Sequence, residues 1–283
     1  MNLIKSPMNY IGNKYRILPQ ILKWFPRDID TMVDLFSGGG DVVINTKANR
    51  KIANDINMYV IQIFQEFQKY TENEILQYID ETIDKWQLSK TNKKGYENFR
   101  EYYNCNPNPL DLYVLMCYSF NYQFRFNAKH EYNNPFGKNR SSFNEKMRDN
   151  LKQLLKNIDK IEFISKDFVE FDYDMLGDGD FVYADPPYLI TCGSYNDGKR
   201  GFKGWGEEDD KKLFDILDAL DKKGVKFALS NVVEHKGKKN DNMLRWKKEK
   251  GYHMHKISFN YDNCNYHTNN KNNKTIEVLI TNY

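Results

Sequence analysis

Short apolar runs bounded by glycine or charged residues recur along the chain and predict the strands of a β-sheet. Five of them alternate with helical patterns, which favours a parallel α/β sheet. Two more, near the end of the sequence, are separated by an Asn-rich loop rather than a helix, so we expect an antiparallel hairpin at the sheet edge. The predicted strands are 32–35, 51–54, 161–164, 181–184, 225–230, 256–259 and 275–281.

The predicted helices fall into two groups. One group alternates with the strands, while the other lies in a block from about residue 59 to residue 159 in which the strand pattern stops. We therefore predict an α/β domain made of residues 1–58 and 160–283, interrupted by a mainly helical insertion at 59–159. The predicted helices are 15–22, 56–68, 75–86, 110–120, 207–223 and 244–250.

The run Phe181–Ala184 is followed by Asp185-Pro186-Pro187-Tyr188. Open α/β sheets place ligand sites at such strand ends. Asp185 can accept hydrogen bonds from an amino group, proline leaves nearby carbonyl groups free, and Tyr188 offers a flat face to a base. These four residues can therefore hold an exocyclic amine. A simple Asp-Pro-Pro turn with a surface tyrosine is the alternative.

A glycine-rich turn, Gly38-Gly39-Gly40, follows the first predicted strand. Glycines let the backbone approach a ligand closely, but the spacing fits neither the dinucleotide fingerprint nor the P-loop. Asp55 ends the second strand, about 20 residues beyond the glycine turn, and an acid at this position can bind a pair of ribose hydroxyls. Asp55 can also cap the helix that follows, and the two roles are compatible.

Composition adds few constraints. The chain has 283 residues, of which 40% are hydrophobic and 29% charged, so it is globular rather than disordered. Its net charge of +3 allows an anionic partner without requiring one. The stretch 121–140 is rich in aromatic, amide and basic side chains, which suits base reading, although many solvated loops look the same.

Cysteine usage and hydropathy favour a cytoplasmic protein that does not enter a membrane. No signal peptide or membrane-length apolar run is visible. The cysteines Cys105, Cys117, Cys192 and Cys264 stand far apart, so we expect reduced thiols.

Two further segments invite interpretation. His253 and His255 with Cys264 and His267 have zinc-ligand chemistry, but the two pairs flank a strand and a turn without other partners nearby, so we predict no metal. Residues 189–206 hold glycines among aromatic residues and are predicted to form a mobile lid.

The order of these motifs resembles the D12 class, or α group, of S-adenosylmethionine-dependent DNA adenine-N6 methyltransferases, the Dam-like enzymes, over nearly the whole chain. The segment 9–14 resembles the first cofactor motif of that family, 34–40 its methionine-binding turn, 185–188 its catalytic motif and 277–282 its closing strand. The resemblance implies a Rossmann-like methyltransferase sheet in 1–58 and 160–283 and a target-recognition domain in 59–159.

The resemblance also implies roles for individual residues. Asp185, Pro186, Pro187 and Tyr188 would be catalytic, with Asp185 and the Pro186 carbonyl binding the amine of a flipped adenine that stacks on Tyr188. S-adenosylmethionine would be the cofactor. Its implied binding residues are Tyr10, Lys14, Asp34, Phe36, Gly38, Gly40, Asp55, Asp167, Phe168 and Asp185.

Double-stranded DNA is the implied partner. Arg125 would face a guanine, Phe120 would wedge the helix and Lys138 would contact phosphate. His130 stands where the family usually has glycine, and Gln123 where GATC-specific members are apolar, so we predict a target with an adenine near a guanine. The implied DNA-binding residues are Phe120, Asn121, Gln123, Arg125, Asn127, Pro135 and Lys138.

Two other functions stay open at this point. One is methylation of another amine, such as cytosine N4, an RNA adenine or a glutamine side chain. The other is a catalytically silent nucleic-acid-binding module. The aspartate at position 185 and the insertion before it favour DNA adenine, in restriction–modification beside a separate endonuclease or in phage self-protection.

Overall fold

A computed structural model of the protein describes residues 3–191, 204–258 and 275–283. Within these ranges the chain forms a single eight-stranded sheet in the order β3-β2-β1-β4-β5-β8-β7, with β6 paired to β5. The strands are β1 (Thr31–Asp34), β2 (Arg50–Asn54), β3 (Ile161–Ile164), β4 (Phe181–Ala184), β5 (Lys226–His235), β6 (Lys238–Lys239), β7 (His253–Ile257) and β8 (Thr275–Thr281).

Strand direction divides the sheet into two parts. The strands β1 to β5 run parallel to one another, whereas β8 runs antiparallel to both β5 and β7. The predicted α/β class with an antiparallel terminal pair is therefore confirmed. The bounds of β3, β4 and β8 coincide with the predicted runs, in which apolar residues predominate and a polar residue marks the end.

Helices cover both faces of the sheet. Their bounds are α1 (Leu18–Leu22), α2 (Asp41–Asn45), α3 (Met58–Phe67), α4 (Glu72–Trp86), α5 (Lys93–Cys105), α6 (Pro109–Tyr118), α7 (Glu145–Leu155), α8 (Glu207–Lys222) and α9 (Asp241–Lys250). Helices α5 and α7 were not predicted. Each of these two helices buries only a narrow apolar stripe, and the rest of its surface is polar. In α5 the stripe consists of Tyr96, Phe99 and Tyr103.

The inserted helices share one apolar core with the sheet. Helix α6 lies at its centre and is buried all round. Helix α3 joins this core to the sheet, because Phe64 stacks on Phe163 of β3 at 4.6 Å between ring centroids. Helices α8 and α9 pack on the other face, where Phe214 stacks on Trp246 at 4.4 Å. The boundaries proposed for the inserted domain stay a prediction.

The polar-aromatic stretch after α6 folds into an irregular hairpin. Antiparallel bridges join Ser119 to Phe136 and Phe126 to Tyr132. The side-chain amide of Asn9 donates to the carbonyl oxygen of Asn121 at 2.9 Å, which ties this hairpin to the segment that precedes α1.

Several sequence-based expectations meet the limits of the described ranges. Most of the predicted lid, with Cys192, and both Cys264 and His267 of the candidate metal ligands lie outside them. Within the ranges, no three His, Cys, Asp or Glu side chains cluster as metal ligands would. The described helices include none with the length and apolar character of a membrane span.

Candidate active site

Three acidic residues meet where the central strands end. Asp34 closes β1, Asp55 directly follows β2 and Asp185 directly follows β4. Since these strands are parallel neighbours, their carboxyl ends lie at the same sheet edge. The sequence motifs found separately therefore form one site.

The carboxylate of Asp185 is held on both sides. One oxygen, Oδ2, lies 2.7 Å from Nζ of Lys14, and the other, Oδ1, accepts the hydroxyl of Tyr188 at 2.8 Å. Lys14 also donates to the carbonyl of Gly12 at 2.9 Å, and its Nζ lies 5.2 Å from the Tyr188 ring centroid. Asp185 is thus fixed in one orientation at the end of β4.

Glu277 of β8 completes this cluster. Its Oε1 lies 3.1 Å from the Tyr188 hydroxyl and 3.7 Å from Nζ of Lys14. Burial raises the pKa of Glu277, and Asp185 raises it further, while Lys14 opposes the shift. Burial and the same two carboxylates raise the pKa of Tyr188 far above its usual value, so its hydroxyl stays a hydrogen-bond donor.

Glu277 was not among the predicted site residues. The signal for it is an acid inside a strand that is otherwise apolar from Ile276 to Ile280. Its side chain is only 13% exposed. A buried charge needs a partner, and in this chain the partner is Lys14, more than two hundred residues earlier in the sequence.

Asp55 holds the glycine turn. Its Oδ2 accepts the N–H of Gly38 and its Oδ1 the N–H of Asn57, both at 2.8 Å. Burial raises the pKa of Asp55, and these two hydrogen bonds partly counter the effect. Each oxygen keeps a second lone pair, so the turn-holding role leaves Asp55 able to accept hydrogen bonds from a ligand.

Tyr10 explains why position 38 is glycine. A Cβ added to Gly38 would lie 2.6 Å from Cδ1 of Tyr10, and the residue has a φ of +47°. The Tyr10 hydroxyl accepts a hydrogen bond from the side-chain amide of Asn57 at 3.3 Å. Tyr10, Gly38 and Asp55 therefore lie together at the turn, and their cofactor role stays a prediction.

Around this turn the structure leaves buried acceptors unsatisfied. Asp34 Oδ1, Ser37 Oγ and Asn57 Oδ1 are buried without a hydrogen-bond partner among the described residues. Burial raises the pKa of Asp34 well above its usual value, and the nearby charges of Asp185 and Asp55 raise it further. Such a site favours a ligand that brings hydrogen-bond donors and positive charge.

An aromatic wall lies beside the acids. Phe36 and Phe168 have ring centroids 5.5 Å apart, and Trp205 lies 5.6 Å from Phe36 and 5.2 Å from Phe168. Asp167 caps the short helical turn that begins at Phe168 by accepting the N–H of Val169 at 3.1 Å. Trp205 was not predicted to be a site residue, since only the fold brings it to this wall.

The remaining predicted residues have mixed positions. Pro186 is buried, whereas Pro187 is exposed. The Phe120 side chain is 44% exposed, next to Asn121 with a φ of +54°. Gln123 and Pro135 use their carbonyl oxygens to hold the irregular hairpin together.

Two exposed cations project from this hairpin. Arg125 and Lys138 form no ion pair within the described part of the chain. The side chain of Asn127, in contrast, is engaged in the hairpin turn, where its Oδ1 accepts the N–H groups of Lys129 and Glu131. The predicted cofactor and catalytic residues thus converge on one edge, and the predicted DNA-binding residues lie together in a separate loop.

Comparison with known proteins identifies the family. The family model for D12 class N6 adenine-specific DNA methyltransferases matches residues 10–270. The chain is 50% identical over 282 residues to modification methylase StsI of Streptococcus sanguinis and 49% identical over 282 residues to type II methyltransferase M.FokI of Planomicrobium okeanokoites. It is 34% identical over 281 residues to modification methylase LlaI of Lactococcus lactis subsp. lactis.

In each of these three comparisons the match covers 99% of this chain but 43% of the relative, so the chain spans less than half the length of these relatives. The family match itself extends from the segment that holds Lys14 to beyond the catalytic motif. The chain therefore belongs to the family of D12 class N6 adenine-specific DNA methyltransferases.

Proposed function

We propose that this protein transfers a methyl group from S-adenosylmethionine to N6 of an adenine flipped out of duplex DNA. The observation that carries the proposal is the clamped carboxylate of Asp185. Lys14 and Tyr188 hold its two oxygens at 2.7 and 2.8 Å, beside the glycine turn that Asp55 anchors.

Asp185 suits an amine nucleophile. A carboxylate accepts hydrogen bonds from an exocyclic NH₂, and a carbonyl at the following proline supplies a second acceptor. Two acceptors fix both N–H bonds and aim the nitrogen lone pair out of the base plane, toward the methyl donor. Because the methyl group of a sulfonium is already activated, the protein's contribution is position and electrostatics rather than a covalent intermediate.

The chemistry of the residues around the glycine turn suits S-adenosylmethionine. The cofactor carries a positive sulfonium and an ammonium group, and the pocket gathers the carboxylates of Asp34, Asp55 and Asp185. The acceptors Asp34 Oδ1 and Asn57 Oδ1, which have no hydrogen-bond partner among the described residues, can accept hydrogen bonds from an ammonium group or from ribose hydroxyls. The wall of Phe36 and Phe168 offers a surface for the adenine ring.

Tyr188 lies where a flipped base would enter. Its ring stands beside Lys14 and its hydroxyl is bound to Asp185 and Glu277, so the ring plane is fixed before a base arrives. A base inside the duplex cannot present N6 to this buried cluster, which is why flipping is part of the proposal. The loop with Arg125 and Lys138 is proposed to read and hold the DNA.

The names of the relatives suggest the biological setting. Those relatives are modification methylases or a type II methyltransferase. We place this protein in restriction–modification, acting in the cytoplasm on duplex DNA, with a cognate endonuclease as a separate partner.

The test is sequencing of DNA from cells that express the protein, by a method that detects N6-methyladenine. We expect one methylated motif that contains an adenine near a guanine. The Asp185→Ala variant is expected to abolish the signal while still binding S-adenosylmethionine, with reduced affinity.

Other results would redirect the proposal. Cofactor binding without methyladenine would point to another amine, such as cytosine N4 or an RNA adenine. Absence of both cofactor binding and N6-methyladenine would point to a catalytically silent nucleic-acid-binding module. Near-normal methylation by Asp185→Ala would overturn the catalytic assignment.

A further inference from the structure

Strand β5 extends well beyond its parallel neighbour. Strand β4 ends at Ala184, opposite Leu229, but β5 continues to His235 and turns into β6. The hairpin therefore projects past the sheet edge at which Asp185 lies. None of the proposed catalytic, cofactor-binding or DNA-reading residues lies on this projection.

The tip of the hairpin is a tight and well-defined turn. His235 pairs with Lys238, so that Lys236 and Gly237 form a two-residue loop, with φ values of +49° and +80°. Two positive φ values in a two-residue loop match the type I′ turn, whose twist fits that of the flanking strands. The lysine side chains at the tip are thus carried on an ordered backbone.

The hairpin presents concentrated positive charge to solvent. Lys236, Lys238 and Lys239 are exposed, and none of them forms an ion pair with an acid in the described ranges. The same charge acts on the neighbouring His235, whose pKa is lowered by burial first and then by Lys236 and Lys238. A cluster of unneutralised lysines is a site for an anion.

A groove lies between this charge and the residues that follow the catalytic motif. It has a volume of about 570 Å³, and the hairpin forms one wall while Leu189, Ile190 and Thr191 form the other. This second wall directly follows Tyr188, whose carbonyl accepts the N–H of Thr191 at 2.9 Å. Glu207 and Asp241 also line the groove, so its lining is mixed and the lysines supply its positive side.

The irregular hairpin between Ser119 and Phe136, which is the predicted DNA-reading loop, is attached to another part of the active-site rim. The hydrogen bond from Asn9 to Asn121 joins that loop to the segment that carries Lys14. The lysine hairpin is reached instead through the residues that follow Tyr188. The two surfaces are therefore linked to the active site through different segments of the chain.

We propose that Lys236, Lys238 and Lys239 bind phosphodiester groups of the DNA strand beside the flipped adenine. The inference rests on the proposed function and adds a second DNA contact, independent of the reading loop. Contacts of this kind hold the backbone in place without reading sequence. They would keep the strand near the pocket after the target base has left the stack.

The test compares two triple variants in DNA binding at several salt concentrations. In the first, Lys236, Lys238 and Lys239 are all replaced by Gln. We expect weaker binding to a short duplex of arbitrary sequence, and a plot of log affinity against log salt that is shallower by roughly 2 to 3, at about 0.9 per lost phosphate contact. Circular dichroism and calorimetric binding of S-adenosylmethionine check the fold.

The matched control replaces Lys222, Lys226 and Lys248 by Gln. These three lysines are also exposed but do not belong to the hairpin tip, and Lys226 lies over the Tyr283 ring. We expect this control to keep the wild-type salt dependence. Replacing the hairpin lysines by Arg keeps the charge and should restore binding. Unchanged salt dependence in the hairpin Gln variant would overturn the inference, as would an equal loss in the control.

The two proposals fail in different ways. If the wild-type protein neither binds nor methylates DNA, the proposed function itself is wrong. If the wild type methylates DNA and the hairpin Gln variant binds it with the same affinity and salt dependence, only the role of the hairpin is wrong. Neutral methylphosphonates placed singly beside the methylated adenine locate the contact, because they should weaken wild-type binding but not that of the variant.

Discussion

Lys14 and Asp185 form an ion pair of 2.7 Å at the centre of the site, with side chains only 7% and 15% exposed. The same lysine lies 3.7 Å from Glu277, so that one ammonium group faces two carboxylates. Removal of a single positive charge would leave two buried acids without compensation.

The Lys14→Met variant keeps the length of the side chain and removes its charge. We expect it to lose about 3–5 kcal/mol of unfolding free energy, because a buried partner charge is left unpaired. Methyl transfer should be lost as well. Chemical denaturation measures the first effect and methyl incorporation the second.

Lys69→Met is the matched control for that variant. Lys69 also forms a 2.7 Å ion pair, with Glu66, but its side chain is 62% exposed. A surface pair of this kind is screened by solvent and contributes little to stability, so we expect the unfolding free energy to change little. Equal losses of stability in the two variants would contradict the role assigned to burial.

Tyr188→Phe separates the hydroxyl from the ring. The ring face stays available for a base, but the hydrogen bonds to Asp185 and Glu277 are lost. A hydrogen bond to a charged group contributes about 1.5–3 kcal/mol, so we expect kcat to fall roughly 10- to 100-fold. The KM for S-adenosylmethionine should change little.

Tyr252→Phe is the corresponding control, since the Tyr252 hydroxyl also donates to an acid, Asp218 of α8, at 2.9 Å, and neither residue is among the proposed site residues. We expect it to reduce stability and leave kcat unaltered. Steady-state kinetics of both variants decide the matter, and an unaffected kcat in Tyr188→Phe would count against the positioning role of its hydroxyl.

Gly38→Ala is predicted to impair cofactor binding. The added Cβ would lie 2.6 Å from the Tyr10 ring, which forms part of the proposed cofactor pocket. Gly251→Ala is the control, because Gly251 also has positive φ, at +75°, but nothing lies within 4 Å of the added atom. Both variants carry backbone strain of about 1–2 kcal/mol, and calorimetry should show weakened binding only in Gly38→Ala.

Asp41 gives the protein a pH-dependent stability. Burial raises the pKa of Asp41 to about 6, although its Oδ1 accepts the N–H of Ser6 at 3.0 Å. The folded protein therefore holds this proton more tightly than the unfolded chain. The resulting stability is fully present below about pH 4 and is lost as the pH rises to about 6, a change of roughly 3 kcal/mol.

Asp41→Asn keeps the acceptor and removes the ionisation. The stability advantage of the wild type over this variant should shrink as the pH rises from about 4 to about 6, as urea unfolding at each pH would reveal. Asp28→Asn, on the surface, serves as the control. A difference between wild type and Asp41→Asn that stays constant across the window would argue against the raised pKa.

Arg125 and Lys138 should differ in kind. Both are exposed in the irregular hairpin. Lys138→Ala is expected to weaken binding to all duplexes and to lower the salt dependence by roughly 1. Arg125→Ala should instead cost about 1–3 kcal/mol at one base position and relax sequence preference there. Binding measured on a set of single-substitution duplexes distinguishes them, and a loss at one position for Lys138→Ala would exclude its phosphate role.

Local patterns sufficed for much of the fold and for the acids of the site. The run that became β4 is apolar throughout and is followed by Asp185. The run that became β3 is apolar except for Glu162 and is followed by Ser165, so hydrophobicity indicated the bounds of both strands. Asp185 and Asp55 could then be predicted as site residues, because parallel strands bring their carboxyl ends to the same edge of the sheet. The convergence of these acids was thus a consequence of strand order and direction.

Contacts distant in sequence could not be derived in this way. The sequence pattern did not identify Glu277 as a site residue, because its position depends on the pairing of β8 between β5 and β7. The register of that pairing turns the Glu277 side chain toward Lys14. Trp205 joins Phe36 and Phe168 through packing of the segment before α8. The hydrophobic pattern did not predict helices α5 and α7, because most of their surface is polar and their apolar stripes are narrow.

The origin of the clamp around Asp185 has a consequence for how the protein becomes active. Lys14, Asp185 and Glu277 come from three widely separated parts of the chain, and β8 must insert between two other strands before Glu277 is in place. Such non-local pairings form late, since loop closure must precede them. A partly folded chain would therefore hold no complete clamp, and methyl transfer would report the completion of folding itself.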